Sequence, residues 1–222
     1  MYSSIPVDAV KSNRCLIIMS DVVLNRADVA DAELPAYQGI QLDQVTLVVS
    51  GVLAATALKA LMTADAIGFD TESKPTFRKG EAATGPHLVQ LATDTHAYLF
   101  PISLACDVRT TLQEILESPA VVKVGFGLGN DRSVLKSRFD IEPNSLLDLG
   151  EKLRGPGHRG TVGAKVAVAH FFGQKLQKSK KTGTSNWASP SLSERQLLYA
   201  ANDAHVALRL YRAWLLSGPQ DA

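Results

Sequence analysis

The chain has 222 residues, of which 45% are hydrophobic and 20% are charged, and its formal net charge is +1 at pH 7. These values predict one well-filled globular core with a small extension, in a soluble and intracellular, cytoplasmic protein. They exclude a membrane-spanning protein, because no run approaches the roughly 18 apolar residues that a spanning helix needs. They also exclude a disulfide framework, because Cys15 and Cys106 lie far apart and match no metal or redox spacing.

The beginning of the chain is the least patterned part. Residues 1 to about 40 show no clean periodicity, and 28–37 is expected to form a short helix or turn. We therefore predict an N-terminal extension over 1–44, one domain over 45–217 and a C-terminal tail over 218–222.

From residue 45 the hydrophobic pattern sharpens into strands and helices. A strand at 45–49 and a helix at 52–62 come first, and three strands follow at 66–72, 87–93 and 97–102. A polar loop with Gly and Pro separates the first two of these strands, and the turn-prone "DTH" separates the last two. We expect the three strands to form an antiparallel meander.

The second half of the domain is predicted to be richer in helix. Its elements, in chain order, are a helix near 107–117, a strand at 121–126, a helix containing Val134 and Leu135, helical pieces near 146–153 and 161–172, a loop at 174–192 and a last helix from 193 to about 216. Ser193 and Gln196, at the start of that helix, have capping-box spacing. The whole pattern predicts an α/β fold with a mixed central sheet, a meander plus parallel strands, flanked by helices.

Two acidic residues, Asp70 and Glu72, stand one residue apart at the end of the apolar run in "AIGFDTESKP". Alternate residues of a strand point to the same side, so we expect both carboxylates to face one place. Two neighbouring carboxylates repel each other, which raises the pKa of at least one of them unless a nearby cation compensates. A divalent ion such as Mg²⁺ or Mn²⁺, which prefers oxygen ligands, is the simplest compensation. The alternative is that the strand simply ends in solvated acidic residues.

The last predicted helix carries a third acid, Asp203, four residues after Tyr199 and on the same helical face. That helix is apolar nearly all round, which predicts burial, and an aspartate in a buried helix needs a partner. In the alternative, Asn202 and Asp203 belong to a solvated strip beside His205 and Arg209.

A fourth acid, Asp131, lies just past a predicted strand and near the start of a helix, in "VKVGFGLGNDRSVL". It could cap backbone N–H groups of that helix and do nothing more. The glycines Gly125, Gly127 and Gly129 also invite a dinucleotide-binding interpretation. Their spacing fails G-x-G-x-x-G, because Arg132 lies three residues beyond Gly129, and no clear acidic strand end follows for a ribose contact.

Three segments resemble, in order and separation, the three motifs of the DEDD superfamily of 3′-5′ exonucleases. They are "GFDTE" (68–72), "KVGFGLGND" (123–131) and "YAANDA" (199–204). Because a tyrosine stands four residues before the last aspartate, the chain resembles the DEDDy branch of this superfamily. The flanking "HLVQLAT", "AYLF" and "SNW" resemble the ribonuclease D and Werner-syndrome exonuclease domain group. The resemblance covers about residues 45–215 and implies a ribonuclease H-like fold and 3′-5′ exonuclease activity.

The resemblance also implies a role for each motif residue. Asp70 would bridge two divalent metal ions, Mg²⁺ or Mn²⁺, while Glu72 and Asp203 would help to hold the first ion and Asp131 would support the second through water. Tyr199 would orient the attacking water together with Glu72, since a tyrosine pKa of about 10 favours positioning over a free base at neutral pH. Two ions about 3.5 to 4 Å apart stabilise both oxygens of a phosphodiester displacement, so the expected product is a nucleoside 5′-monophosphate.

The segment 152–193 contains no Asp or Glu but has eight Lys and Arg residues. Three of them, Lys178, Lys180 and Lys181, stand on the loop that leads to the helix of Tyr199. We predict that they follow the phosphate backbone of single-stranded RNA or DNA, or of a 3′ overhang. The alternative is an ordinary solvated basic face.

Three further residues are candidate nucleic-acid contacts. Lys74 and Arg78 lie in the loop after Glu72, and Trp187 could stack on a base. The alternative for Lys74 and Arg78 is ordinary loop charge. For Trp187 it is packing in the core, which we favour. No membrane and no obligate protein partner is evident from the sequence.

Two other function classes compete with the exonuclease. A catalytically inactive nucleic-acid-binding module of the same fold is argued against by the intact acids and tyrosine, which a binder need not keep. A nucleotide-binding oxidoreductase is disfavoured by the broken glycine pattern.

Overall fold

The computed structural model describes residues 33–76, 80–82, 84–102, 106–154 and 160–218. One six-stranded sheet organises this part of the chain. Its strands are Val45–Leu47 (β1), Ala66–Glu72 (β2), Leu88–Ala92 (β3), Ala97–Pro101 (β4), Val122–Gly125 (β5) and Leu146–Asp148 (β6). The helices are Gly51–Met62 (α1), Cys106–Glu117 (α2), Asp131–Phe139 (α3), Leu149–Lys152 (α4), Ala164–Phe172 (α5), Lys180–Gly183 (α6) and Glu194–Ser217 (α7), and a 3₁₀ turn spans Leu42–Gln44.

The strands follow the order β1-β4-β3-β2-β5-β6 across the sheet. Strands β2, β3 and β4 form the expected antiparallel meander. At one edge β1 pairs in parallel with β4, and at the other edge β5 and then β6 continue the sheet in parallel with β2. The predicted mixed sheet with a meander and parallel strands is therefore confirmed.

Alternation along the meander sends apolar side chains to both faces of the sheet. One face packs against α1 and α2 through buried side chains that include Phe69, Leu91 and Phe100. The other face packs against α7 through Leu88 and Leu99. Two apolar layers thus enclose the sheet, and the predicted flanking helices are confirmed.

Helix α7 lies closest to the strand that carries the first acids. It begins with the predicted capping box, in which Ser193 Oγ accepts from the N–H of Gln196 and Gln196 Oε1 accepts from the N–H of Ser193. The helix approaches β2 at Gly68, where a Cβ atom would lie 1.9 Å from the carbonyl oxygen of Ala204. Only glycine permits this separation, which brings the neighbour of Ala204, Asp203, over the end of β2.

Two secondary-structure predictions in the second half need correction. The sequence predicts helix throughout 146–153, but Leu146–Asp148 form β6, because parallel pairing with β5 satisfies their backbone groups, and only Leu149–Lys152 are helical. The predicted loop at 174–192 contains the short helix α6. Ser179 starts it, since its Oγ accepts from the N–H of Thr182 at 3.2 Å.

The N-terminal segment, residues 33–41, is the described part of the predicted extension, and it packs against the domain. The N–H of Lys175 donates to the carbonyl oxygen of Pro35 at 2.8 Å, and the N–H of Tyr37 donates to that of Lys175 at 3.0 Å. The predicted helix or turn at 28–37 is wrong for its described part, because 33–37 contains no helix or turn and Ala36 forms a β-bridge with Lys175. The division at residue 45 remains a prediction. The rest of the extension, 1–32, and residues 219–222 of the tail lie outside the described residues.

The same segment is held a second time by α7. The side chain of Asn202 accepts from the N–H of Ile40 at 3.0 Å and donates to the carbonyl oxygen of Ile40 at 3.2 Å. A Cβ atom on Gly39 would lie 1.6 Å from Asn202 Oδ1, so the backbone and the amide are in close contact. Within the described ranges, no helix is both long and apolar enough to cross a bilayer.

Candidate active site

Asp70 and Glu72 project from the carboxyl-terminal end of β2, where they face Gln90 and Leu88 of β3 in register. The N–H of Thr71 donates to Asp70 Oδ1 at 2.8 Å. Burial, together with repulsion from Asp203, raises the pKa of Asp70 to about 8. Burial, with repulsion from Asp70, raises the pKa of Glu72 to about 9. The two carboxylates are therefore crowded into one poorly solvated region, as the strand spacing predicts.

Asp203 reaches the same region from α7. It is 7% exposed, and His205 is 4% exposed, so the alternative of a solvated strip is wrong. Lys178 Nζ lies 2.9 Å from Asp203 Oδ2. Burial raises the pKa of Asp203, although the attraction of Lys178 and a hydrogen bond from Tyr199 oppose that shift. A strand acid and a helix acid thus share one site.

Tyr199 is fixed on three sides. Its hydroxyl hydrogen-bonds Asp203, and its ring centre lies 6.0 Å from that of Trp187 and 5.9 Å from Lys178 Nζ. A Cβ atom on Gly183 would lie 2.7 Å from Tyr199 Oη, so the helix α6 closes against the phenol. Burial raises the pKa of Tyr199 above its ordinary value, and its carboxylate neighbours raise it further. Tyr199 therefore keeps its proton at neutral pH.

Asp131 is the first residue of α3 and is tied to the site through Thr71. The Thr71 hydroxyl donates to Asp131 Oδ1, while the N–H of the same residue donates to Asp70. The N-cap residue Asn130 makes no side-chain capping bond. Burial raises the pKa of Asp131, and its charge adds to the repulsion that Asp70 experiences. All four predicted acids are thus connected.

The three lysines that were predicted to follow the phosphate backbone of the nucleic acid have two kinds of surroundings. Lys178 turns inward to Asp203, whereas Lys180 and Lys181 on α6 are exposed. Lys74 is partly exposed and lies 3.9 Å from Glu81. The fifth predicted cation, Arg78, lies outside the described residues.

Trp187 is buried beneath the site. It is 2% exposed, and its indole Nε1–H donates to the carbonyl oxygen of Gly183 at 3.1 Å. This burial favours the core alternative over stacking on a base, because neither face of the ring is open to solvent.

Sequence reasoning gave no role to Gln90, yet it lies directly opposite Asp70. It is fully buried, its Nε2 donates to the carbonyl oxygen of Leu88 at 3.3 Å, and its Oε1 has no hydrogen-bond partner among the described residues. A single amide within the apolar strand "HLVQLAT" is the signal that could have found it. Thr71 was also overlooked, because a threonine between two acids looks like ordinary strand composition.

The donor set suits a hard divalent cation in type and number. Four carboxylates supply only oxygen ligands, and burial raises the pKa of each of them, with repulsion between acids adding to the shift at Asp70 and Glu72. In the part of the chain that the structure describes, no three acidic, His or Cys side chains are yet arranged as a ligand cluster. Asp203 is engaged by Lys178 and Asp131 by Thr71. Metal binding would therefore require these side chains to exchange partners.

Known proteins are similar to this chain in sequence and in fold. A family model described as a 3′-5′ exonuclease matches residues 48–215. The bifunctional 3′-5′ exonuclease/ATP-dependent helicase WRN of Mus musculus is 31% identical over 156 residues, a match that covers 68% of this chain but only 11% of that protein. The Nibbler EXO domain of Aedes aegypti superposes with a TM-score of 0.66 at 27% identity, covering 80% of this chain and 90% of that one.

A second solved structure is similar to this chain in fold. The structure of Trypanosoma brucei RNase D in complex with RNA U12 superposes with a TM-score of 0.68 at 20% identity, and the match covers 80% of this chain and 63% of that chain. At this level of identity the likeness concerns the fold alone.

Proposed function

Because this chain belongs to the 3′-5′ exonuclease family, we propose that it hydrolyses phosphodiester bonds from the 3′ end of a nucleic acid with the help of divalent metal ions. The observation that carries the proposal is the burial of Asp203 beside Asp70 and Glu72. Buried like charges are costly to the fold, and strongly shifted pKa values cluster at functional sites.

The four carboxylates of Asp70, Glu72, Asp131 and Asp203 would hold the metal ions. Two bound Mg²⁺ or Mn²⁺ ions supply Lewis-acid stabilisation to the attacking and leaving oxygens of a phosphodiester. Tyr199 contributes a protonated hydroxyl, so it orients water by hydrogen bonding and does not remove a proton at neutral pH. The product of this reaction is a nucleoside 5′-monophosphate.

Single-stranded RNA or DNA, or a 3′ overhang, is the proposed substrate. The RNase D of Trypanosoma brucei, which shares the fold, has been solved in complex with RNA U12. In this chain the exposed Lys180 and Lys181 lie on α6, whose last residue Gly183 faces Tyr199. Cations at that position would bind the phosphates of a strand entering the site.

The test is a degradation assay on 5′-labelled single-stranded RNA and DNA oligonucleotides of the same sequence. Wild type with Mg²⁺ or Mn²⁺ should shorten the oligonucleotide one nucleotide at a time, and EDTA should abolish the reaction. Asp70→Asn should lower the rate by at least about 100-fold, because it removes a carboxylate proposed to hold the metal ions while the side chain keeps its size. The exposed Asp43→Asn is the matched control and should retain the wild-type rate.

The outcomes separate the candidate functions. Equal rates in wild type and Asp70→Asn would show that the site is assigned wrongly. Tight oligonucleotide binding without release of mononucleotides, under every metal condition, would instead support the inactive binding module.

A further inference from the structure

Lys178 is only partly exposed, and its ammonium points toward the acids of the site. Its Nζ lies 2.9 Å from Asp203 Oδ2, and its side chain is 30% exposed. Lys180 and Lys181, two and three residues later, are both exposed. Three lysines that look alike in "QKSKKTG" therefore have different surroundings, and only the first contacts the site.

The charge on Lys178 is shared among several acids. Its ammonium is attracted by Asp203, by Asp70 and by Glu72, while these carboxylates repel one another. One positive charge can neutralise only one of these three carboxylates. A compact ammonium on a flexible stem acts at these oxygens as a point charge. Lys178 thus occupies the electrostatic position that a small cation would take.

We propose that Lys178 is a built-in counter-ion which competes with divalent metal for the site carboxylates, and that its release from Asp203 sets the metal concentration at which the site fills. This inference rests on the metal-dependent function proposed above. It assigns Lys178 a positioning role toward the carboxylates, which differs from the phosphate contact expected of its neighbours.

The competition has a structural basis in the two partners of Asp203. The carboxylate is 7% exposed and already accepts from Lys178 and from Tyr199. A metal ion bound by Asp203 and Asp70 would bring a second cation to the oxygens that Lys178 now contacts, and two cations at that distance repel. The four-carbon stem of Lys178, partly open to solvent, allows the ammonium to leave.

The experiment measures metal binding without substrate, by calorimetry and by the Mn²⁺ EPR signal. The proteins are wild type, Lys178→Met, Lys178→Arg and Lys180→Met. We expect Lys178→Met to lower the Kd for Mn²⁺ by about fivefold or more, the lower end of typical coupling between two bound groups. Lys178→Arg keeps the charge and should bind no tighter than wild type. Lys180→Met removes an exposed charge two residues away and should match wild type.

A thermal measurement checks the same variants. Removing the ammonium leaves Asp203 buried without its cation, so metal-depleted Lys178→Met should unfold at a lower temperature than wild type. Saturating Mn²⁺ should raise its unfolding temperature by more than it raises that of wild type, because the ion then replaces the lost charge.

Wild-type protein provides a measurement that does not depend on the variants folding. Amine-reactive labelling followed by mass spectrometry should show that Mg²⁺ increases modification of Lys178 and leaves Lys180 unchanged, since the released ammonium becomes accessible.

The results distinguish the inference from the function on which it rests. Equal or weaker Mn²⁺ binding by Lys178→Met, or labelling of Lys178 that Mg²⁺ does not change, would overturn the competition while leaving a metal site in place. Failure of wild type and every variant to bind Mn²⁺ at millimolar concentration would overturn both the competition and the metal-dependent function.

Discussion

At the scale of single residues, the site depends on an absent side chain as well as on charged ones. Gly183 stands where a Cβ atom would lie 2.7 Å from Tyr199 Oη. The phenol is also confined by Trp187 and hydrogen-bonded to Asp203, so it has little room to retreat. A methyl group at Gly183 would therefore displace the Tyr199 hydroxyl from its present position.

Gly183→Ala should lower the exonuclease rate by about 10-fold or more, because a displacement of about 1 Å at a reacting group is costly. The Gly183→Ala variant should still fold, because alanine is a better helix former than glycine. Single-turnover degradation and a thermal melt would measure the two effects separately. Gly160→Ala is the matched control, because an added Cβ there would meet no atom within 4 Å among the described residues beyond its chain neighbours. Equal rates for the two variants would contradict the role given to Gly183.

Lys123 is a second residue whose environment is unusual. It is fully buried in β5, and its Nζ donates to the carbonyl oxygens of Ser118 and Val121. Burial lowers the pKa of Lys123 to about 8. A depressed lysine pKa means that the unfolded chain binds the proton more tightly than the folded protein does. Stability from this group therefore rises with pH from about 8 toward the ordinary lysine pKa.

Lys123→Met should remove that slope. Between pH 8 and pH 10 the unfolding free energy of wild type should gain on that of the variant by about 1 kcal/mol per pH unit. Urea unfolding at a series of pH values would measure the difference. Parallel profiles for the two proteins would show that Lys123 titrates normally in the folded state.

The sequence could predict which acids are candidates for the site, but it could not predict the direction of every side chain around them. The strand period placed Asp70 and Glu72 on one side, and the helix period placed Tyr199 and Asp203 on one face. Only the family resemblance implied that these two pairs meet. The inward turn of Lys178 could not be predicted, since it depends on where Ser179 starts the short helix α6. The importance of Gln90 was also hidden, because its position opposite Asp70 follows from strand register.

At the scale of elements, the N-terminal segment connects two parts of the site. It contacts Lys175, three residues before Lys178, and Asn202, the residue before Asp203. Neither contact was predicted, because Asn202 beside Asp203 looks like a solvated pair in sequence, and 33–41 has no periodic pattern. The strand β6 was likewise missed, because its three residues gain strand structure only from pairing with β5. The capping box at Ser193, in contrast, is a local signal and was predicted correctly.

A double-mutant cycle would test the contact between Gly39 and Asn202. Gly39→Ala should lower the unfolding free energy by about 1–3 kcal/mol, because the added methyl meets Asn202 Oδ1. The same substitution in an Asn202→Ala background should cost much less, since the clashing amide is gone. Urea denaturation of the four proteins would supply the cycle. Additive effects would mean that the segment does not contact α7 there in solution.

At the scale of the whole molecule, one close approach sets the distance between the two halves of the site. Asp70 and Glu72 belong to the sheet and Tyr199 and Asp203 to α7, and the two layers meet at Gly68. The apolar faces of α7 and the sheet predict that these layers pack. The depth of the contact could not be predicted, because Gly68 in "AIGFDTE" looks like any strand glycine until Ala204 is placed over it.

Gly68→Ala should be among the most damaging single changes in the molecule. A Cβ atom there meets backbone rather than a mobile side chain, so α7 must lift, at a cost of about 3 kcal/mol or more. Variant protein that still folds at low temperature should degrade oligonucleotides far more slowly, because Asp203 has moved from Asp70. Circular dichroism melts and activity at 10 °C would show both effects. Gly160→Ala, whose added Cβ would meet no atom of the described residues within 4 Å, should behave as wild type.

The order of these parts along the chain also affects biosynthesis. A ribosome makes β2 and α3 first, whereas α7 begins about 120 residues after the end of β2. Domains tend to fold from the N-terminal side as they emerge. A growing polypeptide that ends before α7 therefore lacks both Tyr199 and Asp203, and the candidate site stays incomplete until that last helix has been made and has packed on the sheet.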